Sequence, residues 1–292
     1  MNHSEPPGRA GSRISGLIKL MRPRQWVKNG FVLAPLLFSG QFMQPGSWAQ
    51  ALLAVLLFCL ASSSVYVIND WRDVERDRRH PVKRLERPLA AGRVTPAMAL
   101  ALLLALYALL AAGAWFQPAV MQVIGIYMVL NVAYSLGLKH QPVLDIFIVA
   151  SGFVLRVIAG AAALDVQTSS WMFVTTLCLA LYMAAIKRRQ ELIHSGDEGR
   201  EVLQRYSLQL IERYAEMSAT GALVFYSLFV MSGNPGLVVT IPIVLFGLFR
   251  YWYVVEMKEG GESPTDVLLS DGQLMAAVLA WLALCAWRLL QA

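Results

Sequence analysis

Long apolar runs dominate this 292-residue chain and limit what it can fold into. The stretch AQALLAVLLFCLASSSVYVI, residues 49–68, has no charged side chain and is long enough to cross the hydrocarbon core of a bilayer as a helix. Hydrophobic residues make up 57% of the chain and charged residues 15%, whereas a soluble domain carries about 25% charged residues. The composition therefore predicts an all-α integral membrane protein.

Nine apolar runs of about 17–25 residues, the length that a bilayer core requires, can be placed along the sequence. They lie near residues 25–43, 48–68, 97–116, 119–138, 143–163, 169–187, 216–232, 236–255 and 272–290. The prediction is a single nine-helix transmembrane domain over residues 25–292, preceded by a basic segment at residues 1–24.

The distribution of lysine and arginine predicts the orientation of these helices. Eight of the 25 lie in residues 69–95, and six lie between Lys187 and Arg213. The short connections on the other side contain none, so the positive-inside rule predicts a cytoplasmic N-terminus and an outside C-terminus in the plasma (inner) membrane. The predicted cytoplasmic loops are about 69–95, 139–142, 188–215 and 256–271. Topology and contact with membrane lipids account for the net charge of +6, which does not indicate a nucleic-acid partner.

A charged stretch, NDWRDVERDRRHPVKRLERP at residues 69–88, follows the second apolar run directly. If the helix continues, Asn69, Asp70, Asp73 and Asp77 lie along one face, because they are three or four residues apart. Oxygen ligands of this kind suit Mg²⁺, which binds one or two carboxylates together with waters and substrate phosphates. The alternative is a solvated helix end that neighbouring arginines balance.

NDWRDVERD resembles the first aspartate-rich motif, NDxxDxxxD, of the UbiA superfamily of intramembrane prenyltransferases. Further segments are similar to the branch typified by decaprenyl-phosphate phosphoribosyltransferase: RPRQWVKN at 22–29, HPVKRLERPLAAG at 80–92, YSLGLKHQPVLD at 134–145, GFVLRVIAGA at 152–161 and KRRQEL at 187–192. The resemblance implies a UbiA-type bundle of nine helices with cytoplasmic active-site loops. It also implies a magnesium site made of Asn69, Asp70, Asp73 and Asp77, with the three aspartates catalytic.

Residues 187–191 depart from the pattern of ordinary superfamily members, which carry a second acidic motif, DxxxD, at the end of the sixth helix. Here Lys187 and Glu191 stand where the two aspartates would be, with Arg188 and Arg189 between them. A Lys-Arg-Arg cluster can bind phosphate directly. It therefore suits a donor with an extra phosphate, such as 5-phosphoribosyl diphosphate, better than a simple prenyl diphosphate. The alternative is a basic anchor at the helix end.

The fifth apolar run contains two ionisable residues. Inserting Arg156 at mid-helix costs at least about 2.5 kcal/mol, so it is expected to face a polar interior and meet a phosphate, or to pair with another helix. Asp145, three turns earlier on the same face, is expected to orient a ribose hydroxyl or a cation. The other phosphate- or substrate-binding candidates, which the matching segments imply, are Lys28, Lys83, Arg84, Arg87, Tyr134, Lys139 and Glu191.

Together these residues predict Mg²⁺-dependent transfer of 5-phosphoribose from phosphoribosyl diphosphate to a polyprenyl phosphate of the decaprenyl type, for cell-envelope glycolipid synthesis. A first alternative is transfer of an isoprenoid from its diphosphate to an aromatic or other acceptor, which the missing DxxxD motif disfavours. A second is a non-catalytic polyprenyl-lipid transporter, which leaves the aligned aspartates unexplained. The oligomeric state is open, and a homo-oligomer is one expectation.

Overall fold

The computed structural model describes residues 9–195, 201–257 and 264–291, and the regular structure in these ranges is helical. The α-helices are α1 (Arg9–Met21), α2 (Ala34–Phe38), α3 (Pro45–Arg72), α4 (Val74–Arg79), α5 (Lys83–Glu86), α6 (Pro96–Phe116), α7 (Pro118–Leu136), α8 (Leu144–Leu164), α9 (Ser170–Ser195), α10 (Leu208–Gly233), α11 (Ile241–Met257), α12 (Pro264–Ser270) and α13 (Gly272–Leu290). Parts of the predicted N-terminal segment and of the loops 188–215 and 256–271 lie outside the described residues.

Within these ranges, eight helical segments are long and apolar enough to cross a membrane. They are α3, α6, α7, α8, α9, α10, the segment Pro235–Met257 that ends with α11, and α13, with lengths of 19–28 residues. At 1.5 Å per residue, these lengths match a hydrocarbon core about 30 Å thick. The predicted class, an all-α multi-pass membrane protein, is confirmed.

The first predicted span, residues 25–43, is not a continuous helix, and this corrects the count of nine. Pro23–Leu33 forms a 3-10 helix, and α2 follows it. Pro35 accounts for part of the break, because it lacks an N–H group and its ring would clash with the carbonyl four residues earlier in an α-helix. Residues 23–38 are called the broken segment below.

The broken segment nevertheless runs between the two ends of the bundle. Arg22, just before it, pairs with Asp70 near the end of α3, whereas Phe38 packs 5.1 Å from the ring of Phe229 near the end of α10. Its 3-10 and α-helical parts together cover roughly 30 Å. A 3-10 helix has three residues per turn, so Asn29 and Val32 lie on one face, and both are fully buried.

Proline and capping side chains define where several helices begin. Proline occupies the first turn of α3, α6 and α7, where its missing N–H has no partner to lose. Thr95, Ser207 and Asp271 accept hydrogen bonds from first-turn N–H groups of α6, α10 and α13. Arg250 of α11 also donates two hydrogen bonds to Asp271, at 3.0 and 2.9 Å, which joins α11 to α13.

The charged segments meet at one end of the bundle. Hydrogen bonds join Asn69 to Ser135, Tyr134 to Arg188, and Tyr206 to Asp145. These contacts bring together the end of α3, the end of α7, the start of α8, the later part of α9 and the residues before α10. This end, which contains residues 69–88, 134–145, 187–195 and 202–206, is called the motif end below.

The broken segment packs against α8 at Gly160, where the backbones approach too closely for any other residue. A Cβ atom at this position would lie 1.9 Å from the carbonyl oxygen of Val32 and 3.1 Å from Cδ of Pro35. Glycine is therefore required by the close approach of a second backbone.

We expect Gly160→Ala to displace the broken segment and destabilise the protein, since overpacking typically costs about 1–3 kcal/mol. The midpoint of thermal unfolding in detergent should fall relative to the unaltered protein. Gly125→Ala on α7 is the matched control, because a Cβ at Gly125 meets nothing within 4 Å. Equal midpoints for the two variants would contradict the close packing at Gly160.

Candidate active site

The aspartate-rich segment is helical but broken once. α3 ends at Arg72, Asp73 has φ −90° and ψ 4°, and α4 begins at Val74. The four predicted metal-binding residues, Asn69, Asp70, Asp73 and Asp77, are nevertheless all buried or half-buried, whereas the exposed positions are Trp71, Arg72, Glu75, Arg76, Arg78 and Arg79. The helix therefore does not continue without a break, but the four residues face the protein together.

Two arginines hold Asp70 in a buried position. Arg87 donates to Asp70 Oδ1 at 3.1 Å, and Arg22 donates to the same oxygen atom. The guanidinium of Arg22 also lies 4.6 Å from the centre of the Tyr66 ring. The second oxygen, Asp70 Oδ2, is buried and has no hydrogen-bond partner in the described part of the chain. Asp70 thus presents one fixed and one free oxygen atom.

Asp77 lies in a less polar environment than a surface aspartate. Burial raises the pKa of its carboxyl group above the ordinary value, and the positive charge of Lys83 opposes that rise. Lys83 is half-buried, whereas Arg84 is exposed to solvent. The structure thus places Lys83 and Arg87 near the aspartates and leaves Arg84 at the surface.

Arg188 forms a buried network at the other side of the motif end. Its Nε donates to Asp145 Oδ2 at 2.5 Å, its Nη2 donates to the Tyr134 hydroxyl at 2.8 Å, and its Nη1 pairs with Glu191. Tyr206 donates to the other oxygen of Asp145 at 2.7 Å. Asp145 has no solvent exposure, so its charge is balanced entirely by these contacts.

The three successive basic residues of α9 do not act as one cluster. Lys187 Nζ lies 3.8 Å from Glu191 Oε1, and Glu191 also pairs with Arg188. Arg189 instead pairs with Glu212 at 2.8 Å and with Glu256 at 2.7 Å, and so joins α9 to α10 and α11. Successive helical residues point about 100° apart, so this separation follows from the helix itself.

Two neighbouring residues of α7 connect the aspartate side to the basic side. Ser135 donates to the side-chain oxygen of Asn69 at 2.7 Å, and Tyr134 accepts from Arg188. Lys139 follows in the 3-10 helix Leu138–His140 and is half-buried. The end of α7 therefore contacts both the aspartate side and the basic side of the candidate site.

Arg156 is buried deeper in the bundle. It donates to Asn29 Oδ1 at 2.8 Å and to the Gly152 carbonyl at 2.7 Å, and three aromatic rings lie 5.1–5.5 Å from its guanidinium: Phe58, Tyr127 and Phe153. Among the described residues no carboxylate pairs with it, so the alternative of an interhelical salt bridge is wrong there.

Magnesium fits this site only in company with a substrate. In the ranges that the structure describes, no group of three or more His, Cys, Asp or Glu side chains is placed to hold a metal by itself. The buried, unpaired Oδ2 of Asp70 is nevertheless the kind of oxygen that Mg²⁺ binds. The donor set therefore fits an ion that completes its coordination with waters and phosphates.

Four residues of the site were not among the predicted ones: Arg22, Asn29, Ser135 and Tyr206. The first three lie inside the segments RPRQWVKN and YSLGLKHQPVLD, so their role had a signal in the sequence. No pattern in the sequence indicated Tyr206, because it lies 61 positions from Asp145 and contacts it only when the helices pack together.

The fold and the site together define a class, the intramembrane transferases with an aspartate-rich segment at one end of a helical bundle. The sequence model of the UbiA prenyltransferase family matches residues 32–270, so the chain belongs to this family. It is a transferase and a multi-pass membrane protein.

Relatives and solved structures agree with this membership. The chain is 39% identical to a decaprenyl-phosphate phosphoribosyltransferase of Mycolicibacterium smegmatis, over 92% of this chain and 91% of the relative. It is 36% identical to a protein of the same name from Mycobacterium tuberculosis, over 96% and 95%. A UbiA homologue from Archaeoglobus fulgidus, solved with DMAPP and Mg²⁺, has the same fold, with a TM-score of 0.71 and 18% identity over 94% of this chain and 99% of that one.

We expect Tyr206→Phe to destabilise the motif end. The hydroxyl group accepts a hydrogen bond from the N–H of Val143 at 2.5 Å and donates to Asp145, so its loss leaves two groups unsatisfied. Each buried unsatisfied group costs about 1–3 kcal/mol. The midpoint of thermal unfolding in detergent should therefore fall.

Tyr107→Phe on α6 is the matched control, because it removes a hydroxyl group from a half-buried tyrosine outside the motif end. Its unfolding midpoint should not change. If Tyr206→Phe also left the midpoint unchanged, the hydroxyl of Tyr206 would not support Asp145.

Proposed function

We propose that the protein transfers 5-phosphoribose from phosphoribosyl diphosphate to a polyprenyl phosphate of the decaprenyl type and releases pyrophosphate. The observation that carries the proposal is the similarity, over at least nine-tenths of both chains, to proteins named decaprenyl-phosphate phosphoribosyltransferase. The site supports it, because a buried arginine network occupies the place where a second acidic motif would be expected for a prenyl diphosphate donor.

The chemistry asks little of the protein beyond binding and charge stabilisation. An oxygen of the lipid phosphate attacks the anomeric carbon of ribose, and the bond from that carbon to pyrophosphate breaks. The attacking phosphate is already ionised at pH 7, so no general base is needed. Negative charge grows on the leaving group, and fixed cations close to it stabilise the transition state.

The residues divide between two tasks in this scheme. Lys83 and Arg87 lie beside the aspartates, and Lys187 and Arg188 lie on the basic side, so these four are assigned to the phosphates of the donor. Asp145, Tyr134 and Glu191 position Arg188. The assignment of Arg84, Lys139 and Arg189 to phosphate binding stays a prediction.

We assign Mg²⁺ as the cofactor, held by Asn69, Asp70, Asp73 and Asp77. When bound, the ion would supply positive charge to the departing pyrophosphate. Arg22 and Arg87 hold one oxygen of Asp70 and leave the other available. The three aspartates are the residues that we assign to catalysis.

The proposed location follows from the charge distribution. The motif end carries the basic loops, so we place it and residues 1–24 in the cytoplasm, and the C-terminus outside, in a plasma (inner) membrane. Residues 25–292 then form one transmembrane domain. The expectation of a homo-oligomer stays a prediction.

A screen of donors and acceptors tests the proposed function. With Mg²⁺, purified protein should release pyrophosphate from phosphoribosyl diphosphate and decaprenyl phosphate, and a phosphoribosyl lipid should be detected by mass spectrometry. Consumption of a polyprenyl diphosphate with an aromatic acceptor instead would favour prenyl transfer. Movement of polyprenyl lipid across vesicles without a chemical change would favour a transporter.

We expect Asp73→Asn to lower turnover at least about 100-fold, the scale seen when one group that stabilises developing charge is removed. Pyrophosphate release at saturating substrate and Mg²⁺ measures the effect. Glu75→Gln is the matched control, because Glu75 lies two residues away but is exposed, and among the described residues its ion-pair partner is Arg78. Full activity of Asp73→Asn would remove Asp73 from the metal site.

A further inference from the structure

Two neighbouring cations of the bundle interior form no ion pair with a carboxylate in the part of the chain that the structure describes. They are Arg156, which is 5% exposed, and Lys28, which is half-buried on the broken segment. Lys28 lies within electrostatic range of three cations, Lys187, Arg156 and Arg22, and, more weakly, of one carboxylate, Asp266 of α12. Positive charges that are close together in a membrane interior repel each other and lack hydration, so the arrangement calls for an anion.

The protein holds Arg156 in place without neutralising it. Asn29 accepts from Arg156 Nε, and the other end of the Asn29 amide donates to Ser62 Oγ at 3.4 Å and Cys59 Sγ at 3.1 Å. The Gly152 carbonyl accepts from Nη1. These neutral contacts, with the three surrounding rings, fix the guanidinium through its Nε and Nη1 atoms.

Asn29, which holds Arg156, lies deeper in the bundle than the donor site. Ser62, which contacts Asn29, precedes Asp70 by eight residues on α3, so it lies roughly 12 Å deeper in the bundle. Arg22 at the motif end, Lys28 and Arg156 therefore form a row of cations that leads inwards. Among the described residues, Arg22, the outermost of the three, pairs with a carboxylate, and the other two form no ion pair.

We infer that Lys28 and Arg156 bind the phosphate group of the acceptor lipid. This inference rests on the proposed function, in which the attacking phosphate approaches ribose from the side opposite the departing pyrophosphate. Two anion sites at different depths, with the sugar between them, are what that reaction requires. The aromatic surroundings of Arg156 suit a phosphate that is attached to a hydrocarbon chain.

A phosphate monoester is also present on the donor, as the 5-phosphate of ribose, so the experiment has to separate the two sources. Steady-state kinetics of Lys28→Gln and Arg156→Gln would be measured with each substrate varied in turn. We expect the KM for the lipid phosphate to rise at least about 10-fold, and the KM for phosphoribosyl diphosphate to change less than about 3-fold. A rise confined to the donor KM would overturn the inference.

Two further variants control for structure and for general charge. Arg156→Lys should recover part of the loss in lipid KM, because it keeps the positive charge. Arg78→Gln removes an exposed cation of the motif end and should leave both KM values unchanged. Lys28→Gln breaks no hydrogen bond to a described residue, so it reports on the site even if Arg156→Gln fails to fold.

Direct binding tests the site independently of turnover. Without donor, the protein should bind geranyl phosphate at least about 10-fold more tightly than geraniol, and this preference should disappear in Lys28→Gln. If Lys28→Gln loses the preference but the unaltered protein transfers no phosphoribose, the anion site is supported and the proposed function is rejected. An equal preference in Lys28→Gln and the unaltered protein would reject the site.

Discussion

The buried carboxylate of Asp145 is the constraint on which the motif end depends. It has no solvent exposure, and a charge that is removed from water without a partner is strongly unfavourable. Arg188 supplies the opposite charge and Tyr206 a further hydrogen bond, so α8, α9 and the residues before α10 have to meet at this point. The orientation of Arg188, and with it the basic side of the candidate site, follows from the need to balance Asp145.

The same network reaches the aspartate side through α7. Tyr134 contacts Arg188, and its neighbour Ser135 contacts Asn69, so the two sides are held by successive residues of one helix. Sites that are supported by helix ends keep their geometry better than sites on loops. In the proposed reaction, the donor lies between these two sides, and the row of cations that begins at Arg22 continues from there into the bundle. The broken segment supplies Lys28 to that row, and it supplies Asn29, which accepts a hydrogen bond from Arg156. A continuous α-helix would turn these two side chains in other directions, because it has 3.6 rather than three residues per turn.

Much of the fold was predictable because it depends on local composition. Eight of the nine predicted spans correspond to helices long enough to cross the membrane, since the thickness of the hydrocarbon core sets the length of an apolar run. The ninth, residues 25–43, was wrong as a continuous helix although Gly30 and Pro35 were visible in it. A count of apolar residues does not register where a backbone hydrogen bond is lost. In the candidate site, the spacing of Asn69, Asp70, Asp73 and Asp77 correctly indicated a common inward side, but not the break at Asp73.

The sequence by itself determined the membrane class, the helical segments and the identity of the charged side chains, because hydrocarbon thickness and the cost of burying charge act on neighbouring residues. Only the tertiary structure decided which charges meet. Arg22 and Asp70, Asp145 and Arg188, and Asn29 and Arg156 are 48, 43 and 127 positions apart. It also separated Arg188 from Arg189, and left Lys28 and Arg156 without an ion pair among the described residues. Such pairings depend on how helices pack against one another, and no local pattern of residues specifies that.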